Sequence, residues 1–372
     1  MFKSGKKITR QDVTPVAFWK WFTDNQKRFD QSIKKNQKAA PERLNEIVEE
    51  LKKYDSWFKA LIGKYDDNIT ELVITADGDI AMFVKVEQLV RQAPDLKGWK
   101  FTAHKPALGF DEISINMYDK EFNDKTVKFY PVTDEHYPDQ VSIVFTHVGY
   151  DEKEKEDFDT ATSIYVQNAL GELNTATQID SYEIGPEPED KSALIPVTKL
   201  NDYLKWREKE FVEKYDQASI ELPEDTFNTI EGHDAEGNVM LAMVVSGYEF
   251  WEYKPAFCWW VRIEMEYEAT ENGLPDNGTL ELLHNTESKS IGILTASPSV
   301  LYAASKTFKG CRTTYFYSRD YQNPSMVLYD FCAKQNKKLK LSFFIEKDKY
   351  WQSLEEFFGM PEAEEEEEDE EG

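Results

Sequence analysis

The chain is poor in the residues that most often announce chemistry. Its three cysteines, Cys258, Cys311 and Cys332, are odd in number and make no CxxC spacing, which argues against a disulfide framework or a zinc knuckle and fits a reducing compartment. The five histidines, His104, His136, His147, His233 and His284, include no pair at helical ligand spacing. His104 and His147 fall where neighbouring strands could end, but isolated strand histidines are usually structural, so no metal is expected. The sequence contains no GxxxxGK[ST] loop, no GxGxxG after a strand, no HExxH, no GxSxG and no EF-hand spacing, so no cofactor is expected either. Long apolar runs are missing: even VSIVFTHVGY is interrupted by polar residues. The opening MFKSGKKITRQDVTP lacks the apolar core of a signal peptide, so a cytoplasmic protein without membrane contact is expected. Positive charge is also short, with 44 Lys and Arg against 70 Asp and Glu and a formal net charge of −26. That balance excludes a typical nucleic-acid binder and suits a protein partner with a basic surface.

Aromatic residues, by contrast, are plentiful: 9 Trp, 19 Tyr and 23 Phe supply ample material for buried cores. A length of 372 residues then implies two domains. The ends differ in sign. Residues 1–40 hold ten Lys and Arg against three Asp, whereas 362–372 hold nine acidic residues and no basic one. Such a tail repels itself and reads as a solvated extension, while the N-terminal lysines read as the wet face of a helix carrying Phe18, Trp21, Phe22 and Phe29.

Periodicity predicts a helix from Pro15 to about Lys38 and a second from Pro41 through Leu51, Trp57, Phe58 and Leu61 to a stop at Gly63. Strand Ile69–Thr75, helix Ile80–Gln92 and strand Trp99–His104 follow. Asp77 and Asp79 flank a glycine between them, and ADGD reads as a strand-to-helix turn. Runs Glu112–Tyr118, Thr126–Val132 and Val141–Val148 predict an antiparallel meander, followed by a helix Glu152–Leu170 and a strand Ile179–Ile184. Gly185–Ser192 has linker composition, and a helix through Leu200, Leu204, Trp206 and Phe211 bridges onward. Beyond it come strands near Ser219–Leu222 and Val239–Ser246. The order then becomes strand Trp259–Tyr267, helix Thr279–Ser288, strands Val300–Phe308 and Arg312–Ser318, helix Pro324–Gln335, strand Leu339–Glu346 and a last helix Tyr350–Phe358. The fold class expected is therefore α+β in two domains. Residues 1–185 carry helices and a mostly antiparallel sheet, 186–215 link, 216–360 form a ferredoxin-like βαββαβ sandwich, and 361–372 are a disordered tail.

Alternation defines a candidate binding face. Trp260, Arg262, Glu264 and Glu266 fall opposite Val261, Ile263 and Met265, and Phe344 alternates with Phe343 and Ile345. With Tyr315 and Tyr317 these would compose an aromatic sheet surface around Arg262 and Glu264, expected to pack against the N-terminal domain or the extra strands, with a partner or small-ligand face as the alternative. Cys311 beside Arg312 reads as an inert buried thiol.

The stretch from Cys258 to Lys289, CWWVRIEMEYEATENGLPDNGTLELLHNTESK, and FKGCRTTYFYSRD from Phe308 to Asp320 resemble the bacterial family called domain of unknown function 695. The elements that carry the resemblance are Arg262, the turn Gly273–Pro275, Glu287, Gly310, Arg312, Tyr315 to Tyr317 and Asp320. Members of that family look distantly similar to the regulator of ribonuclease activity B, a small αβ protein that acts by binding an enzyme. The similarity implies a binding role and nothing about catalytic residues; together with the missing catalytic motifs and the acidic balance, it leads to the expectation of a non-catalytic protein that binds another protein in a regulatory or inhibitory role. The alternative is an enzyme with a small-molecule site between the two domains.

Overall fold

Phe18, Phe22, Phe29 and Ile33 recur at helical steps and bury one face of α1 (Pro15–Lys35). The structure, a computed structural model, describes residues 14–35, 37–215, 220–335 and 339–359. The acidic tail and the first thirteen residues lie outside these. Helix α2 (Ala40–Tyr54) stops earlier than its apolar spacing suggests. Asp55 is extended, its carboxylate accepts the N–H of Trp57, and the chain reverses into strand β1 (Lys59–Lys64). There buried Phe58 and Ala60 alternate with exposed Lys59 and Leu61, a period of two that a short apolar run shares with a helix. Strand β1 runs antiparallel to β2 (Thr70–Thr75), and helix α3 (Ile80–Arg91) connects β2 to its parallel neighbour β3 (Trp99–Ala103). The indole N–H of Trp19 donates to the Leu89 carbonyl at 2.8 Å, tying α1 to α3.

The expected three-stranded meander does not form. In its place β4 (Ile115–Met117) turns straight back into β5 (Lys120–Phe122). Tyr118 and Asp119 both have positive φ, the geometry of a two-residue hairpin turn. Strand β6 (Val127–Val132) pairs antiparallel with β7 (Ser142–His147). Helices α4 (Lys155–Leu170) and α5 (Glu172–Gln178) lead to β8 (Ser181–Ile184), parallel to β7, and the short β9 (Ile195–Pro196) pairs with β6. This half thus holds three small sheets with two parallel pairs, β2–β3 and β7–β8, rather than one mostly antiparallel sheet. Helix α6 (Leu200–Tyr215) packs Leu200 and Leu204 into the same core as Phe129, Phe145 and Tyr165.

Contacts divide the described residues into two compact units, 14–215 and 220–359. Residues 220–226 carry no strand; the first strand of the second unit is β10 (Phe227–His233), hidden in the sequence by its Asn, Thr, Glu, Gly and His content. It is followed by β11 (Val239–Val245), β12 (Trp259–Glu266), α7 (Asn277–Leu294), β13 (Val300–Phe308), β14 (Cys311–Ser318), α8 (Gln322–Gln335) and β15 (Lys340–Lys347). All six strands are antiparallel, in the order β10-β11-β13-β14-β12-β15. A 3₁₀ turn, Gln352–Phe357, replaces the last helix. The protein is therefore mixed α+β with several sheets, and among the described residues no helix is long and apolar enough to cross a membrane.

One buried carboxylate organises the first unit. Glu172 is 3 % exposed and accepts the Thr75 hydroxyl at 2.5 Å, the Gly78 N–H at 2.7 Å and the Lys105 N–H at 2.9 Å. It thereby joins α5 to the ADGD turn and to the chain leaving β3. Asp77 in that turn pairs with Lys59 and Lys105, whose hydrogen bonds hold its carboxyl down at about 2. Glu172→Ala orphans two backbone donors, and should cost about 2–4 kcal/mol, measured as the shift in the denaturation midpoint of the first unit.

Candidate functional site

The aromatic residues singled out from alternation do come together, on the sheet face opposite Val261, Ile263 and Met265. Arg262 lies opposite both Tyr315 and Phe344 across the sheet, and Trp260 lies opposite Tyr317. The rings of Trp260 and Tyr315 stack at 6.1 Å. The Arg262 guanidinium sits 4.1 Å from the Phe344 ring and 4.9 Å from Trp260, and its Nε is 3.3 Å from Glu264. Burial raises the Glu264 pKa against the pull of Arg262.

This face is closed, not open to a partner. Trp260, Arg262, Tyr315, Tyr317 and Phe344 are each at most 9 % exposed. Trp351 stacks on Tyr317 at 4.0 Å, with its indole N–H shared between the Lys254 and Phe257 carbonyls, and Phe357 meets Tyr315 edge-on at 5.4 Å. Tyr248 and Trp251 close around Trp351. The Tyr317 hydroxyl donates to Asp348, and burial drives its pKa well up. The aromatic members and Arg262 are thus covered by the protein's own chain, while Glu264 stays half-buried.

The motif residues divide. Asp320 accepts the N–H of Asn323 and so caps the start of α8. Gly310 and Lys309 form the tip of the β13–β14 hairpin, both with positive φ. The Gly310 N–H donates to the Gly273 carbonyl at 3.1 Å, and Gly273, also left-handed, brings the Gly-Leu-Pro turn down onto that tip. Pro275 and Arg312 then face a pocket of about 450 Å³ that alternation alone did not reveal.

The pocket follows from cross-strand registry. Leu241, Thr307, Arg312 and Met265 form one row across β11, β13, β14 and β12, and Met243, Ser305, Thr314 and Ile263 form the next. Residues directly opposite share a face, so each row runs from the buried core through polar side chains to an apolar one. At the outer end Leu241 and Met243 are each 38 % exposed. From above, α7 contributes Leu280, His284 and Glu287, which lie at four- and three-residue steps on one helix face.

Glu287, 7 % exposed, is the polar centre of the floor. One carboxylate oxygen accepts the Thr314 hydroxyl at 3.1 Å and the other lies 3.4 Å from Arg312 Nε. Arg312 Nη1 lies 3.4 Å from His284 Nδ1, and its buried Nε has no hydrogen-bond partner among the described residues. The neighbouring Cys311 thiol is pushed up by burial, which suits an inert role.

His104 and His147 are not brought together. His104 follows β3 in the first sheet, packs against Phe83 at a tilt and reaches Glu87 at 3.3 Å. His147 ends β7, takes the Gly149 N–H on Nδ1 and donates from Nε2 to the Glu121 carbonyl, with burial holding its pKa down. Among the described residues no three His, Cys, Asp or Glu side chains are grouped to hold a metal ion.

If Trp351 closes the aromatic face, Trp351→Ala should destabilise the second unit by about 3–5 kcal/mol. Chemical denaturation followed by fluorescence measures this, and Trp206→Ala, at a 53 % exposed position, is the neutral control.

No curated protein and no solved structure matches the chain. The segment from β12 to the 3₁₀ turn, which holds both the closed aromatic face and the pocket floor, has a recognisable kinship: residues 249–358 match a family of unknown function, DUF695.

Proposed function

We propose that the protein is a non-catalytic regulatory module that binds another protein through the second unit. In this reading the βαββαβ core is a ferredoxin-like sandwich widened by β10 and β11, and the added edge is the recognition element. The observation that carries it is the chemistry of β10. This strand pairs with β11 on one side and with no described strand on the other. Its residues Phe227, Asn228, Thr229, Glu231 and His233 are all exposed. An open edge of this kind accepts an extended segment as a further strand, with main-chain hydrogen bonds supplying affinity.

Charge specifies the partner. Residues 220–238 contain no Lys or Arg, and besides Asp234 and Glu236, which are paired with Lys309, they carry Glu221, Glu224, Asp225 and Glu231. A basic extended segment would be steered to this edge, and an acidic one repelled.

Affinity purification at low salt, followed by mass spectrometry, should recover a basic partner in stoichiometric amount. The triple variant Glu224→Lys, Asp225→Lys, Glu231→Lys alters only exposed side chains. It should keep the thermal midpoint of the parent protein and lose that partner by at least about tenfold in affinity. Retention of the partner by the folded variant, or repeated recovery of none by the parent, would overturn the reading.

A further inference from the structure

The pocket beneath α7, lined by β11, β13 and β14 and by Thr229 of β10, holds a polar floor and apolar walls that one occupant would have to satisfy together. The volume, about 450 Å³, lies within the range of small-ligand sites. The walls are apolar, with Leu241, Met243, Leu274, Pro275 and Leu280 around the mouth. Three of these leave more than a third of their surface in water, namely Leu241 and Met243 at 38 % and Leu280 at 37 %. Covering such surface is favourable and non-directional, so the walls select an apolar body without naming it.

The floor is more specific. A guanidinium offers five N–H donors in a planar fork. Arg312 turns its buried Nε toward Glu287 at 3.4 Å, without a hydrogen bond, and its Nη1 lies 3.4 Å from His284. Its ion-pair partner Glu287 stands 3.4 Å away and also holds the Thr314 hydroxyl. The cluster is thus rich in donors that are poorly used, in a side chain only 12 % exposed. An acceptor with two oxygens answers that fork. Because Glu287 already brings one negative charge to the same guanidinium, an incoming dianion such as a phosphate ester would meet more repulsion than a monoanion.

We propose that this pocket binds a small organic monocarboxylate with an apolar body, its carboxylate on the Arg312 guanidinium and its hydrocarbon against the Leu241, Met243 and Leu280 walls. Glu287 acts here as a positioning residue: it holds Arg312 in place on the floor and is itself fixed by Thr314. One residue of the β10 edge, Thr229, also lines the pocket, and occupancy is measurable on the isolated full chain whether or not a partner is found.

The test compares two carboxylates, hexanoate and phenylbutanoate, with the isosteric phenylbutanamide, using saturation-transfer NMR and thermal shift on the full chain. The carboxylates should bind, and the amide should bind at least about tenfold more weakly than phenylbutanoate. Arg312→Lys keeps a positive charge opposite Glu287 but loses the fork, and should weaken phenylbutanoate by about tenfold. Met243→Trp leaves the charged pair intact and fills the mouth, so it should abolish saturation transfer from both phenyl probes in a protein of unchanged midpoint. Equal binding of amide and carboxylate, undiminished binding by folded Met243→Trp, or no saturation transfer from the parent protein to either carboxylate would overturn the proposal.

Discussion

The indole of Trp351 sits in a left-handed turn, flat on Tyr317, with its N–H held by two carbonyls from the segment before β12. Such a conformation is uncommon for a bulky residue and persists where surrounding contacts determine it. Here they do. The stack on Tyr317, the edge contact with Tyr248 and the Asp348 carboxylate, which takes the Tyr317 hydroxyl and the N–H groups of Gln352 and Ser353, all converge on the same few residues. Because of this closure β12 is buried along most of its length, with Val261, Ile263 and Met265 on one face and Trp260 and Arg262 on the other. A strand covered on both sides cannot serve as a recognition surface.

That constraint moves any interaction to the strands that lie outside the closed region. β10 and β11 extend the sheet past β13, and they precede the stretch that matches the family of unknown function. The pocket floor, with Glu287 and Arg312, falls within the matched residues, while the outer wall at Leu241 and Met243 falls outside them. Two kinds of surface result from one sheet extension. One is an exposed edge strand, which we propose takes a basic segment, and the other is an apolar-walled cavity with Arg312 and Glu287 on its floor.

Much of the second unit was legible because its strands alternate cleanly and its turns use glycine where positive φ is required. Val300–Phe308 agrees at both ends, and β12, β14 and β15 agree within a residue. The grouping of Trp260, Arg262, Tyr315 and Phe344 on one face also followed from alternation alone. That the face is covered was the favoured expectation too, but the cover is different: Trp351 and Phe357 lie on Tyr317 and Tyr315, from a segment whose aromatic spacing resembles a helix. In the first unit Trp57, Phe58 and Leu61 continue a helical pattern, yet the chain turns at Asp55; short apolar runs fit either period. β10 was missed because an exposed edge strand has no apolar alternation to display. The pocket was missed because Leu241, Glu287 and Arg312 lie on separate elements, and only cross-strand registry aligns them. The signal nearest to it was the pair of motif glycines, whose contact brings the Gly-Leu-Pro turn to the cavity rim.

The central claim is that the aromatic face of the second sheet is closed while its β10 edge is open. Amide hydrogen exchange on the intact chain tests it most directly. The account predicts that residues 259–266 and 311–318 exchange only with global opening of the second unit, and that 227–233 exchange orders of magnitude faster. Rapid exchange across 259–266, or protection of 227–233 equal to that of the central strands, would contradict it.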